Sequence, residues 1–265
     1  MPAPKLLIER RAAVTVLTIN RPEVRNCVDA ETADLLTDAI EDFAAGDDRV
    51  LVVTGTGDRA FCAGADLKAV EGLMRRPGAA RTGPLGFSGL DPGKPTIAAV
   101  EGYCVGGGLE LACWCDFRVA GEGAVFGALN RRVGVPWVDG GTQRLPRTVG
   151  MGNALYLIET GERIDARRGL EIGLVQEVVP AGSALGRAVE LAERIAAWPQ
   201  VSLRSDRRAT SGSWGRTLGE GLAFEAEIGR AAALDEELTE GARTFVERGA
   251  AGESGEGGAA DALHP

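Results

Sequence analysis

The sequence predicts an α/β fold built from strand–helix crossovers, and three observations predict it. Short apolar runs such as Val50-Leu51-Val52-Val53 and Thr96-Ile97-Ala98-Ala99-Val100 are continuous, as in strands buried on both faces. The segment Asp29 to Ala45 instead places Ala33, Leu36, Ala39, Ile40 and Phe43 at helical spacing. Strand, helix and strand follow one another in that order, the signature of crossover connections.

Each element can be justified in turn. Leu6 to Arg10 and Val14 to Ile19 read as strands joined by a tight turn. Arg21-Pro22 breaks the pattern, and Asp29 supplies an N-cap for the first long helix. After the strand Val50 to Gly55, Lys68 to Arg76 reads as a short helix. Pro77 to Lys94 is rich in Gly and Pro and reads as a mobile loop. The strand Pro95 to Val100 leads into a glycine triplet, with a helix over Leu109 to Cys113. Phe117 to Ala120 and Ala124 to Gly127 are strand-like. Beyond Gly140 the pattern turns helical: Thr142 to Gly150, Asn153 to Thr160, Asp165 to Gly173, Ala184 to Ala197, and amphipathic helices within Ser202 to Glu247. Leu174 to Val179 is a last strand. The tail from Gly249 to Pro265 has almost no large apolar residue and is expected to be disordered.

Composition narrows the function. A formal charge of -9 leaves no basic face, which argues against nucleic acid as a partner. No run approaches the ~20 apolar residues of a membrane span, and the first residues lack a signal-peptide core, so a cytoplasmic protein is expected. Cys27, Cys62, Cys104, Cys113 and Cys115 are odd in number and sit in apolar contexts, as packing thiols do. Their spacing offers no zinc site. The one histidine, His264, is next to the C-terminus. Histidine-based triads and most zinc catalysis are thereby removed. Acid–base work falls to carboxylates, tyrosine, lysine or bound water.

Two glycine-rich segments carry the chemistry: Phe61-Cys62-Ala63-Gly64-Ala65-Asp66 and Gly102-Tyr103-Cys104-Val105-Gly106-Gly107-Gly108-Leu109-Glu110. Each follows a strand and runs toward a helix, where backbone N–H groups are unpaired. Two such corners aimed at one point would form a main-chain oxyanion hole. Glu110, in the first turn of its helix, fits a catalytic carboxylate beside that hole; it equally fits a carboxylate held by the helix dipole. Gly55-Thr56-Gly57-Asp58-Arg59-Ala60 matches G-x-G-x-x-A, but Phe61 to Gly64 stands where a dinucleotide-binding helix should begin.

Taken together, Phe61 to Leu67, Gly102 to Glu110 and Gly140-Gly141-Thr142-Gln143-Arg144-Leu145 resemble the signature blocks of the enoyl-CoA hydratase/isomerase (crotonase) superfamily. Asn20-Arg21-Pro22-Glu23, Arg163-Ile164-Asp165-Ala166 and Gly173-Leu174-Val175 fit the same order, over about residues 5 to 248. The resemblance implies a spiral of ββα units with the acyl-CoA site over residues 1–200. A helical C-terminal region over 201–248 would mediate a homotrimer or a dimer of trimers, and 249–265 would be the tail. It implies an acyl-CoA thioester as ligand, with coenzyme A part of the substrate and no separate cofactor or metal. The implied oxyanion donors are the N–H groups of Ala65 and Gly107. Arg25 and Lys68 would face the phosphates, and the adenine would lie against Ala63, Asp66 and Leu67. Arg25 and Lys68 also fit plain surface charge.

The resemblance is incomplete at one position. Family hydratases use two glutamates on one water; Glu110 matches the first, whereas Asn130 falls where the second is expected. Asparagine orients water but exchanges no proton with it. Asp139 is the substitute, either as a second acid–base group or as an N-cap for the helix opening at Gly140. Arg131 and Arg132 are expected to pair with Asp139 or Glu110. The leading expectation is hydration of a 2-enoyl-CoA. The rivals are double-bond isomerisation with one carboxylate, and a silent acyl-CoA-binding protein.

Overall fold

The computed structural model describes residues 3–241, 243 and 246. The tail 249–265 and His264 lie outside them. The chain divides into two compact units, one ending at Ala196 and the other beginning at Ala197.

The first unit is built on a six-stranded sheet. Strands β1 (Leu6–Arg11) and β2 (Val14–Ile19) form an antiparallel hairpin through Ala12, whose φ is 51°. Beside β2 lie β3 (Val50–Gly55), β5 (Thr96–Val100), β7 (Phe117–Gly121) and β10 (Glu177–Val179), all parallel. Alternation between two buried faces explains why β3 and β5 are apolar along nearly their whole length. Val50 and Val52 of β3 face helix α8 (Ala184–Ala197), meeting Ala188 and Ala192. Leu51 and Val53 face the opposite core, shared with Leu36, Ile40 and Phe43 of α1 (Ala30–Ala45). Asp29 caps α1 by accepting from the Thr32 N–H, as its position predicts.

Of a second sheet, only the strand within Ala124 to Gly127 was legible in the sequence. Strands β4 (Ala60–Cys62), β6 (Tyr103–Val105), β8 (Val125–Gly127) and β9 (Ile164–Asp165) follow one another in space. Each of β4, β6 and β8 comes directly after a strand of the first sheet. The strand pairs β3–β4, β5–β6 and β7–β8 therefore repeat, each leading into helical structure. Gly55 to Ala60 is the turn between β3 and β4, so the G-x-G-x-x-A match opens a strand and not a helix.

Helices α2 (Val70–Met74) and α3 (Ala79–Thr82) precede β5. The segment Pro77 to Lys94, expected to be a mobile loop, is anchored. Leu85 and Phe87 are buried in the core, and Phe87 meets Trp114 edge-on at 6.1 Å. The Trp114 indole N–H donates to the Leu90 carbonyl at 2.8 Å. Arg76, itself buried, binds Asp34 at 2.7 Å and the Thr82 hydroxyl and Gly83 carbonyl at 2.6 Å. Its few apolar side chains, not its glycines and prolines, decide the outcome.

Two more buried cations close helix ends, where carbonyls otherwise lack partners. Lys94 donates to the Phe43 and Gly46 carbonyls at the end of α1. Arg118 donates to the Ala112 and Cys115 carbonyls at the end of α4 (Gly107–Trp114), and to Leu174 beyond it. Helices α5 (Gly141–Val149), α6 (Met151–Thr160) and α7 (Ala166–Glu171) complete the first unit.

The second unit contains α9 (Gln200–Ser211) and α10 (Leu218–Ala233), the latter opened by a capping box between Thr217 and Glu220. No helix among the described residues is long and apolar enough to cross a membrane.

Candidate active site

Pairing of β4 with β6 explains why the two glycine corners meet. The strands are parallel, with Cys62 opposite Cys104, so both chains leave the sheet at one edge. Gly64 (φ 94°) and Gly106 (φ 56°) then turn in a region that other residues avoid. A Cβ on Gly64 would lie 2.6 Å from the Gly107 nitrogen, so only glycine allows this approach. The backbone nitrogens of Ala65 and Gly107 come together here. Neither N–H donates to another described group, because Gly107 opens α4 and Ala65 precedes the Asp66–Val28 bond.

A cavity of about 430 Å³ opens over this edge, within the range of small-molecule sites. Ala65, Gly107, Glu110 and Asp139 line it, as do Arg25, Ala63, Leu67 and Asn130. Val70, Leu73, Met74, Leu85 and Trp137 supply its apolar wall. Asp66 and Lys68 do not line it. The Asp66 carboxylate is bound to Arg21 at 2.9 Å, and Lys68 is exposed. The Arg25 guanidinium stands 5.5 Å from the centre of the Tyr103 ring, near enough for a cation–π contact.

Glu110 sits in the first turn of α4 and is 3% exposed. Its Oε1 accepts two hydrogen bonds, from Asp139 N at 2.9 Å and Gly141 N at 2.8 Å. Burial nevertheless dominates and pushes its pKa up to about 7, with Asp139 adding to the rise and Gly141 opposing it. Asp139 is 1% exposed, and its Oδ1 accepts from Leu85 N at 3.1 Å. Its Oδ2 has no hydrogen-bond partner among the described residues. Burial raises this carboxyl to about 6, against the Leu85 N–H and Ser88 beside it. Asp139 does not cap α5; Gly140 occupies that position. The pair therefore occupies one cavity wall, with each carboxylate anchored to backbone.

The neighbouring cations differ from expectation. Arg131 reaches the Ile158 carbonyl and Arg132 the Gly161 carbonyl, both at the end of α6. Arg144 is the guanidinium beside the pair. It donates to the Asp139 carbonyl oxygen at 3.1 Å and the Ser88 carbonyl at 2.7 Å. From the first turn of α5 its side chain reaches back past the helix start to Asp139, five residues earlier, a consequence of folding that charge alone does not reveal. Leu85 is a second unforeseen contributor, through its backbone N–H. Asn130 donates to the Val135 carbonyl at 2.7 Å, leaving its Oδ1 unpartnered among the described residues.

The cysteines carry no part of this site. All five are free, and burial pushes Cys62 up to about 12 and Cys113 to about 11, which keeps them as thiols. No cluster suited to a metal ion occurs among the described residues.

A family model described as Enoyl-CoA hydratase/isomerase matches residues 9–252. A crotonyl-CoA hydratase from Syntrophomonas wolfei is 35% identical over 250 residues, covering 92% of this chain and 95% of that protein. A 2,3-dehydroadipyl-CoA hydratase from Escherichia coli is 36% identical over 246 residues, covering 92% and 96%. Among solved structures, an enoyl-CoA hydratase from Mycobacterium marinum superimposes with a TM-score of 0.88 at 34% identity, covering 93% of this chain and 97% of the other.

Proposed function

We propose, from the premise that the chain belongs to the enoyl-CoA hydratase/isomerase family, that it adds water to the double bond of a 2-enoyl-CoA. The observation that carries this reading is the buried carboxyl pair, Glu110 and Asp139, in one cavity with two undonated N–H groups. A thioester carbonyl oxygen would sit between the Ala65 and Gly107 nitrogens. Each donor is worth about 3 kcal/mol once the oxygen becomes enolate-like.

Midway between their values of about 6 and about 7, the two carboxyls hold about one proton between them. The ionised member takes a proton from water as the water oxygen bonds to the β-carbon. Electrons move onto the carbonyl oxygen, giving the enolate. The protonated member then delivers its proton to the α-carbon, and the carbonyl re-forms. Asn130 lines the cavity beside the pair, its amide nitrogen held by the Val135 carbonyl. As written, the reaction needs no metal or redox cofactor; coenzyme A enters as part of the substrate, with Arg25 at the cavity.

We infer that copies assemble through the second unit. Leu218 and Leu234 are 81% and 88% exposed in the single chain, which supports a homotrimer or a dimer of trimers formed through this region. The decisive assay offers a trans-2-enoyl-CoA and follows loss of its conjugated absorbance with formation of 3-hydroxyacyl-CoA. Formation of the conjugated ester from a 3-enoyl-CoA, with no hydration, would replace the hydratase with an isomerase using one carboxylate.

A further inference from the structure

Trp137 belongs to no motif, yet it touches the centre of the site. A Cβ placed on Gly141 would lie 2.6 Å from Cδ2 and Cε3 of the Trp137 indole and 2.8 Å from Cγ of Glu110. The indole and the glutamate side chain therefore close on the same point above Gly141. Trp137 is half-buried, lines the cavity and packs on the hydrophobic core. Its indole N–H has no hydrogen-bond partner among the described residues, so packing holds the ring in place.

We propose that Trp137 is a positioning residue for Glu110, its ring walling the carboxyl from water and pressing Oε1 onto the Asp139 and Gly141 N–H donors. Other charges do not account for the raised pKa by themselves. Asp139 raises it, but Arg144 on α5 lowers it, and Cys113 on α4 remains a neutral thiol. Desolvation is the largest cause, and desolvation requires a cover. Gly141 is the matching half of the device, since any side chain there meets both the ring and the glutamate.

The proposal rests on Glu110 acting as the acid–base group, so its test includes a readout without turnover. Enzyme carrying carboxyl-labelled glutamate is titrated by carbon NMR without substrate, with E110Q assigning the signal. In W137A the Glu110 midpoint should fall by at least one pH unit, a tenfold gain in acidity. W137F keeps a ring and loses no hydrogen bond, so its midpoint should stay within about 0.3 unit of wild type. The acid limb of kcat/KM should shift in parallel. An unchanged midpoint in folded W137A overturns the proposal, and so does a fall in W137F equal to that in W137A. Should W137A not fold, W137L opens the same face with less volume lost, and the same thresholds apply. Correct midpoints in an enzyme that hydrates no enoyl-CoA would retain the cover and discard the hydratase.

Discussion

Replacing Glu110 by glutamine should stabilise the protein, increasingly from about pH 4.5 and fully above about pH 7. In the folded chain the carboxyl is raised from 4.5 to about 7, chiefly by burial. At about 1.4 kcal/mol per pH unit, the ionised side chain costs about 3 kcal/mol of stability. The sign follows from proton linkage. A carboxyl with a raised folded-state pKa contributes its stability in full below the unfolded value of 4.5, loses it steadily as pH rises from there, and has lost it once pH passes about 7. Glutamine is neutral throughout, and its Oε1 can accept the same two bonds from Asp139 and Gly141. Urea unfolding of wild type and E110Q at pH 4.5 and pH 8.5 measures the difference. The two should agree within about 1 kcal/mol at the lower pH. E110Q should be more stable by up to about 3 kcal/mol at the higher pH, while losing hydratase activity. Equal stabilities at both pH values would mean that the carboxyl is not desolvated, and the account of its acidity would fail.

Asp139→Asn keeps an acceptor for the Leu85 N–H but removes the second proton carrier, so kcat should fall by about a hundredfold or more. A decrease under threefold in steady-state assays would remove Asp139 from the chemistry. Gly64→Ala places a methyl 2.6 Å from the Gly107 nitrogen on a backbone with φ 94°, and should cost about a hundredfold in kcat through displacement of one donor. Full activity would separate the corners from the reaction. Arg118→Ala strips partners from the buried carbonyls of Ala112, Cys115 and Leu174, and should lower stability by about 3 kcal/mol or more. Denaturant midpoints measure that loss, and an unchanged midpoint would mean those carbonyls find other partners.

The sequence made the larger sheet, the first helix and its Asp29 cap legible because burial on both faces and helical spacing leave patterns several residues long. Strands β4, β6 and β9 leave none, being three, three and two residues. Yet β4 and β6 bring the glycine corners together. Glu110 was readable from its place after the triplet, and Asp139 as the available carboxylate. The pairing of Arg131 and Arg132 with them was not correct, because a loop and a helix start aim Arg144 there instead. Asp66 and Lys68 belonged to a matching block, but the block's turn directs them off the cavity and Arg21 takes Asp66. Side-chain direction after a tight turn is set by backbone geometry, which residue order does not record.

Responsibility within the cavity is divided unevenly along the chain. The proposed anion hole is made of main chain, so ordinary substitutions would change it only by deforming the turns. Asn130, Trp137 and Asp139, by contrast, all sit on the single crossing from the second sheet to α5. A graft of that one stretch could retarget the fold to another thioester reaction while leaving the activation of the carbonyl untouched. On the proposed reading Glu110 shares α4 with one carbonyl-binding corner, so what varies independently along the later stretch is the second proton carrier and the wall around it.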